Sequence, residues 1–311
     1  MNGELDLSVD SPYFSRYGGM WIDRNDWKQN LENRITKGLV SPDAAKQVKD
    51  FVEHGYLIIP GAVAPEVVDR FSNEITKAWL HGDEQLLIMM PGESAGTPLK
   101  AGRERKQARV VDVYAFYQSA LDILLSDRIS RFLKLIFDDD PLLFQSLSFD
   151  CGSEQDLHQD TAYVVVSSPM ELVASWVALE DIQEGSGELV YIPGSHRIPE
   201  YHFSGVSKHF SAVRDTKEQH EEWKLSLPVK SEKMGLKPEL FRPKKGDALI
   251  WAADLVHGGA PVKDPTLSRR SLVGHYCPAH ADPHYFSFWP DRRTKQRQRN
   301  GLYSSMHYSI A

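Results

Sequence analysis

Residues Ser41 to His54 carry apolar positions at helical spacing, and the Gly55 that follows is a natural stop, so the pattern predicts a helix there. Tyr56-Leu-Ile-Ile-Pro60 reads as a short buried strand, and Pro65 to Leu80 has the periodicity of a second helix. From Gly82 to Arg109 the pattern breaks into Gly, Pro, Ser and basic residues without periodicity. A loop of that length is usually functional or mobile, which makes it a lid candidate. Helical spacing returns over Leu121 to Phe137, with Leu124, Ile129, Phe132, Leu133 and Ile136 as expected core positions.

Beyond residue 140 the texture changes to short β-rich runs. They are Leu142 to Phe149, Ala162 to Ser167, Leu172 to Leu179, Glu188 to Ile192, Asp247 to Ala252 and Arg270 to Cys277. Strands at such spacing, without regularly interleaved helices, predict a mainly β sandwich or jelly roll buttressed on one face by the helical N-terminal layer. With no internal repeat, the expected organisation is a single domain over residues 1–311. Its parts are a mainly helical support and lid (1–140), a jelly-roll core (141–280) and a C-terminal extension (281–311).

Composition narrows the function classes. A chain of 311 residues with 41% hydrophobic and 25% charged content can bury a substantial core. No stretch approaches the roughly 20 apolar residues that span a bilayer, and the acidic start MNGELDLSVD lacks a signal-peptide pattern, so the expected location is cytoplasmic. Cys151 and Cys277, the only cysteines, are too few for a disulfide scaffold or a thiolate zinc site, so any metal must rely on histidine and carboxylate. A net charge of −7 argues against a nucleic-acid coat. The basic runs Lys100 to Arg109 and Arg292 to Arg299 read as a solvated loop and a polar C-terminal helix.

Leu157-His158-Gln159-Asp160 places an imidazole and a carboxylate at i and i+2, on one side of an extended backbone. Far downstream, His257 ends an apolar run in Leu255-Val-His-Gly-Gly259, where it could meet that pair across a barrel mouth. Two histidines and a carboxylate are the facial set typical of non-haem iron(II), with zinc as the chemical competitor. Further on, Arg269-Arg270 opens another strand. An arginine inside a barrel is costly unless it meets an anion, and its planar fork suits a carboxylate such as the distal one of 2-oxoglutarate.

These motifs are joined by His158-Gln-Asp-Thr-Ala-Tyr163, Ala174-Ser-Trp176-Val-Ala-Leu179, Gly187-Glu-Leu-Val-Tyr-Ile-Pro-Gly-Ser-His196, Gly246-Asp-Ala-Leu-Ile-Trp251 and Arg269-Arg-Ser-Leu-Val-Gly-His-Tyr276. From about Phe51 to Pro278 the chain resembles the phytanoyl-CoA dioxygenase family. The resemblance implies a double-stranded β-helix, cupin-like, in which His158, Asp160 and His257 bind Fe(II). It also implies that Arg269, favoured over Arg270 by its spacing to Tyr276, pairs with the cosubstrate 2-oxoglutarate. Trp176 matches a position lining the cosubstrate pocket, and Gln145 is a further cofactor-pocket candidate. Related halogenases replace the carboxylate by a small residue, so Asp160 favours hydroxylation of a small organic substrate (lipid, sugar or secondary-metabolite intermediate), with O2 and 2-oxoglutarate converted to succinate and CO2.

Two other classes compete: a zinc-dependent hydrolase on the same three ligands, and a non-catalytic binding module on the same barrel. Arg269 weighs against the first and the intact triad against the second. His196 and His275 are expected to make structural hydrogen bonds or packing contacts. His202, His209 and His220 fall in a long insertion, within which 201–244 is expected to form surface or lid. Phe286 to Trp289 are expected to be core or pocket wall.

Overall fold

The computed structural model describes residues 19–310 except Ser94 and Pro169, so the start of the chain, on which the signal-peptide expectation rests, lies outside the described residues. Helices α1 (Trp27–Thr36), α2 (Pro42–His54), α3 (Pro65–His81), α4 (Gln118–Leu124), α5 (Asp127–Phe137) and α6 (Lys217–Lys233) accompany two mainly antiparallel sheets. The first strands are β1 (Tyr56–Ile59), β2 (Asp83–Met89), β3 (Thr97–Leu99), β4 (Arg109–Val111), β5 (Pro141–Phe149) and β6 (Val173–Ala178). They are followed by β7 (Leu189–Tyr191), β8 (Glu239–Phe241), β9 (Ala248–Ala252), β10 (His257–Gly259), β11 (Ser271–Pro278), β12 (Gln296–Gln298) and β13 (Gly301–Tyr303). Among the described residues no helix is long and apolar enough to cross a membrane.

Local signals explain the helix that opens the sheet. The Ser41 hydroxyl accepts from the Ala44 N–H at 3.2 Å, and Pro42 occupies the first turn. Gly55 then closes α2 at φ 78°, in the left-handed region that favours glycine. A Cβ at Gly55 would also stand 2.3 Å from the His196 ring, so the stop signal doubles as a packing requirement.

The larger sheet has the order β1-β9-β6-β11-β5-β4-β2-β3, and the smaller has the order β10-β7-β8. Side chains alternate between two buried faces along the central strands. Val173, Val177, Ala248 and Ile250 point into the core shared with α2 to α5, whereas Ala174, Trp176, Leu249 and Trp251 share a second core with Leu189, Tyr191 and Phe241 of the small sheet. Burial on both faces is why these strands read as nearly continuous apolar runs. The functional side chains project into the space between the two sheets.

Four expectations are corrected. The segment 82–109 is not an unstructured lid: it contributes β2 and β3 and leads into β4, with Leu86, Ile88 and Leu99 fully buried. Its alternation is too brief to stand out among the Gly and Pro. The helix expected over 121–137 is split at Leu125 and Ser126, where outside groups claim the carbonyls. Tyr276 donates to Leu124 O and Asn300 to Leu125 O, both at 2.9 Å.

The strand expected over 162–167 is instead a 3-10 turn (Asp160–Ala162) and an irregular run in which Val166 alone forms a bridge, to Pro283. Val166 still enters a core with Leu142, Phe144 and Leu172, but the backbone before it is bent by the bonds that hold Asp160 and Thr161. The polar C-terminal helix is a hairpin of β12 and β13, with β13 lying parallel to β5. The two-residue turn is Arg299-Asn300, and a Cβ at Gly301, the first residue of β13, would stand 2.6 Å from Pro141 O.

Candidate metal centre

His158 and His257 are facing residues of an antiparallel bridge: His158 N–H donates to His257 O at 2.9 Å, and His257 N–H returns the bond at 3.0 Å. A residue pair that exchanges both bonds projects its side chains to one side, which brings the imidazole centroids to 4.3 Å. The Gly258-Gly259 step lets the chain before His158 come close. A Cβ at Gly258 would stand 2.7 Å from Gln155 O, and one at Gly259 would stand 2.6 Å from the Ser153 hydroxyl. Asp160 enters from the first residue of the following 3-10 turn.

Ligand atoms of the three side chains lie within 4.8 Å of one another, all buried. Asp160 Oδ1 is 3.8 Å from His158 Nε2 and 3.6 Å from His257 Nε2. Each Nδ1 faces a backbone carbonyl, that of Asp156 at 2.8 Å and of Leu255 at 2.9 Å. Those carbonyls can only accept, so each Nδ1 carries the proton and each Nε2 turns a lone pair inward. Burial, and then the neighbouring His257, hold the His158 pKa down to about 3, so its imidazole is neutral. Burial alone would raise the Asp160 pKa, yet on balance it is lowered and the group is a carboxylate. Lone pairs and a negative charge converging in a dry pocket fit a cation.

The far side of Asp160 is held separately. Trp251 Nε1 donates to Oδ2 at 2.8 Å and His275 Nε2 lies 3.6 Å from the same oxygen, which leaves Oδ1 facing the histidines. His275 thus packs as expected, against the carboxylate itself. His196 also behaves as a structural group, placed 3.1 Å from Val52 O at the C-terminal end of α2.

The adjacent arginines have opposite surroundings. Arg270 is 3.0 Å from Asp150 and 4.0 Å from Glu180. Arg269 is buried, donates to Gly187 O (3.1 Å) and the Ser271 hydroxyl (2.9 Å), and lies over the rings of Phe149 and Trp176 at 5.3 and 5.6 Å. Among the described residues no carboxylate is within 4 Å of it, and burial lowers its pKa to about 10 without discharging it at neutrality. A buried cation between two aromatic faces and without a counterion is costly unless a ligand supplies one.

Gln145 is the central residue of β5, four positions before Phe149 and opposite His275 across the β11 pairing. It lines a cavity of about 270 Å³ that also includes Phe144, Tyr163 and Met306. The β5–β11 register shifts between His275 and Tyr276, which leaves Phe144 as the extra residue of a bulge beside the site.

Reasoning from sequence missed the network behind the metal loop. Lys208 is buried between Asp254 and Glu200, Thr161 donates to Asp254 Oδ1 at 2.8 Å, and Gln159 donates to Asp254 O at 2.7 Å. The insertion therefore braces both ligand-bearing segments, and only an isolated apolar-flanked Asp254 hinted at it. His220 lies against the same region, 2.8 Å from the Tyr163 hydroxyl.

A family model described as phytanoyl-CoA dioxygenase (PhyH) matches residues 51–271. The chain is 26% identical over 258 residues to the human "Phytanoyl-CoA dioxygenase, peroxisomal", covering 77% of this chain and 69% of that protein. It is 22% identical over 255 residues to the "Probable phytanoyl-CoA dioxygenase" of Caenorhabditis elegans, covering 75% of each. In fold it is similar to the epimerase SnoN from nogalamycin biosynthesis, solved with Fe3+, alpha ketoglutarate and nogalamycin RO (TM-score 0.59, 16% identity, 84% of this chain and 98% of that one). It is also similar to EctD from S. alaskensis, solved with 2-oxoglutarate and 5-hydroxyectoine (TM-score 0.53, 19% identity, 75% and 76% of the two chains).

Proposed function

The chain belongs to the phytanoyl-CoA dioxygenase family, and on that premise we propose that it is an Fe(II)- and 2-oxoglutarate-dependent dioxygenase hydroxylating a small organic substrate. The observation that carries this reading is the pairing of the three-ligand pocket with Arg269, a buried guanidinium that lacks a carboxylate partner among the described residues. A hydrolase using the same ligands has no need of that arginine.

In this reading His158, Asp160 and His257 hold the metal. With 2-oxoglutarate and O2, bound iron(II) supplies the hydroxylation of an unactivated carbon with release of succinate and CO2. Trp251 and His275 orient the carboxylate, so that Oδ1 serves the metal. Arg269 clamps the distal carboxylate of 2-oxoglutarate, and Phe149 and Trp176 keep that ion pair dry. Gln145 faces the substrate rather than the cosubstrate, because it sits in the cavity and away from Phe149. The two sheets are the halves of a double-stranded β-helix. The pairing of β4 and β13 with β5 supports a single domain in which the N-terminal layer and the extension are both parts of the core.

Anaerobic calorimetric titration of the iron(II)-loaded protein with 2-oxoglutarate tests this, followed by succinate measurement after admitting O2. Binding and iron-dependent succinate formation are expected. No binding of 2-oxoglutarate would overturn the reading, and zinc-dependent hydrolysis would replace it with the hydrolase.

A further inference from the structure

The 270 Å³ cavity adjoins the metal pocket. The Tyr163 ring centroid is 5.8 Å from that of His158, and Gln145 pairs across the sheet with His275, which contacts Asp160. Three of its aromatic residues are notably exposed, Tyr163 at 44%, Phe288 at 63% and Trp289 at 42%. Large aromatic surfaces gathered at one opening cost free energy unless a ligand covers them. Deeper in, Phe144 and Tyr285 continue the same wall.

Charge selects further. Among the described residues no Lys, Arg, Asp or Glu lines the cavity. Among the described residues an anion would find no cation in the lining itself, and the Arg292 guanidinium beside Trp289 is engaged with Met306 O. A cation would find no carboxylate, and the Arg292 guanidinium already lies 5.4 Å from the Trp289 ring while donating to Met306 O. The imidazoles are His209, in which burial lowers the pKa and favours the neutral ring, and His284, 6.0 Å away by centroids. The hydroxyls are committed, Tyr285 to Ser304 at 2.7 Å and Tyr163 to His220 at 2.8 Å. Gln145 is not: among the described residues its amide nitrogen meets only the Met306 sulfur, at 3.6 Å.

We propose that this cavity takes a compact, uncharged, flat fused-ring substrate, stacked at the mouth against Tyr163, Phe288 and Trp289 and oriented by one polar substituent on Gln145. The inference rests on the oxygenase reading only in placing the reacting carbon beside the metal pocket.

Calorimetry on the protein loaded with iron(II) and 2-oxoglutarate under argon tests it with probes of one ring size: 2-naphthol, 2-naphthoate and naphthylmethyl-trimethylammonium, together with decanoyl-CoA. The neutral probe is expected to bind at least about tenfold more tightly than each of the others. Trp289→Ala and Phe288→Ala, both at exposed positions that substitution leaves foldable, are expected to weaken it by about tenfold each. Equal or tighter binding of the carboxylate, ammonium or thioester probe, or unchanged naphthol affinity in both variants, overturns the proposal. Failure of the oxygenase reading would be seen separately, as absent 2-oxoglutarate binding in the same cell before any probe is added.

Discussion

The Trp251 indole N–H donates to Asp160 Oδ2 at 2.8 Å, so one oxygen of the buried carboxylate is fixed and the other is presented to His158 and His257. Groups that orient a metal ligand in this way are typically worth 10- to 100-fold in metal affinity. Trp251→Phe should therefore weaken iron(II) binding by about that factor while leaving the ring packed against its neighbours. Competition with a chelator of known affinity measures it, and unchanged affinity would show that the bond does not position Asp160.

Lys208 is a buried cation matched by Asp254 and Glu200. Lys208→Met strands Asp254 among Thr161 and the loop carrying His257, and removing one partner of a buried pair costs roughly 3–5 kcal/mol. Urea unfolding should register that loss, and the double variant Lys208→Met/Asp254→Asn should recover part of it. A loss below about 1 kcal/mol would mean that the insertion does not brace the site.

Arg269→Gln keeps hydrogen-bonding capacity toward Gly187 and Ser271 but removes the charge. The dissociation constant for 2-oxoglutarate should rise by at least about thirtyfold, the lower range for losing one partner of a buried charge pair. Iron affinity should not move. Arg270→Gln, already neutralised by Asp150 and Glu180, should leave 2-oxoglutarate binding nearly intact.

Burial raises the Asp23 pKa to about 7, against the lowering bond from Met20 N–H. A carboxyl whose folded pKa lies above its unfolded one contributes its full stability below the ordinary carboxylate range and loses it as pH rises toward 7. Asp23→Asn mimics the protonated form and keeps an acceptor for Met20. Its melting temperature relative to the parent should climb between pH 4 and pH 7 and then level off. A difference that is flat with pH would remove Asp23 from the account.

Much of the core was legible because periodicity records burial. The helices over 42–54 and 65–81 and the strands over 141–149, 173–178, 248–252 and 271–278 match the expected runs closely, since each is either one-sided and capped or buried on both faces. Leu124, Ile129, Phe132, Leu133 and Ile136 are all buried as expected. The three-residue strands β3, β4, β12 and β13 were not legible. Segments that short have almost no period, and their hydrogen bonds go to partners distant in sequence.

For the site, the chain by itself determined which side chains could meet: two imidazoles, one carboxylate and an arginine pair, each in a recognisable local setting. The tertiary structure decided how they are used. It gave Arg270 two carboxylates and Arg269 two aromatic faces, although the residues are neighbours, because successive residues of an extended chain face opposite ways. It also brought Trp251, His275 and Lys208 to the backs of the ligand-bearing segments and gathered Tyr163, Phe288 and Trp289 at one opening. Such contacts join positions far apart in sequence. No local pattern encodes them, because their energy exists only once the sheets have closed and water has left the space between them.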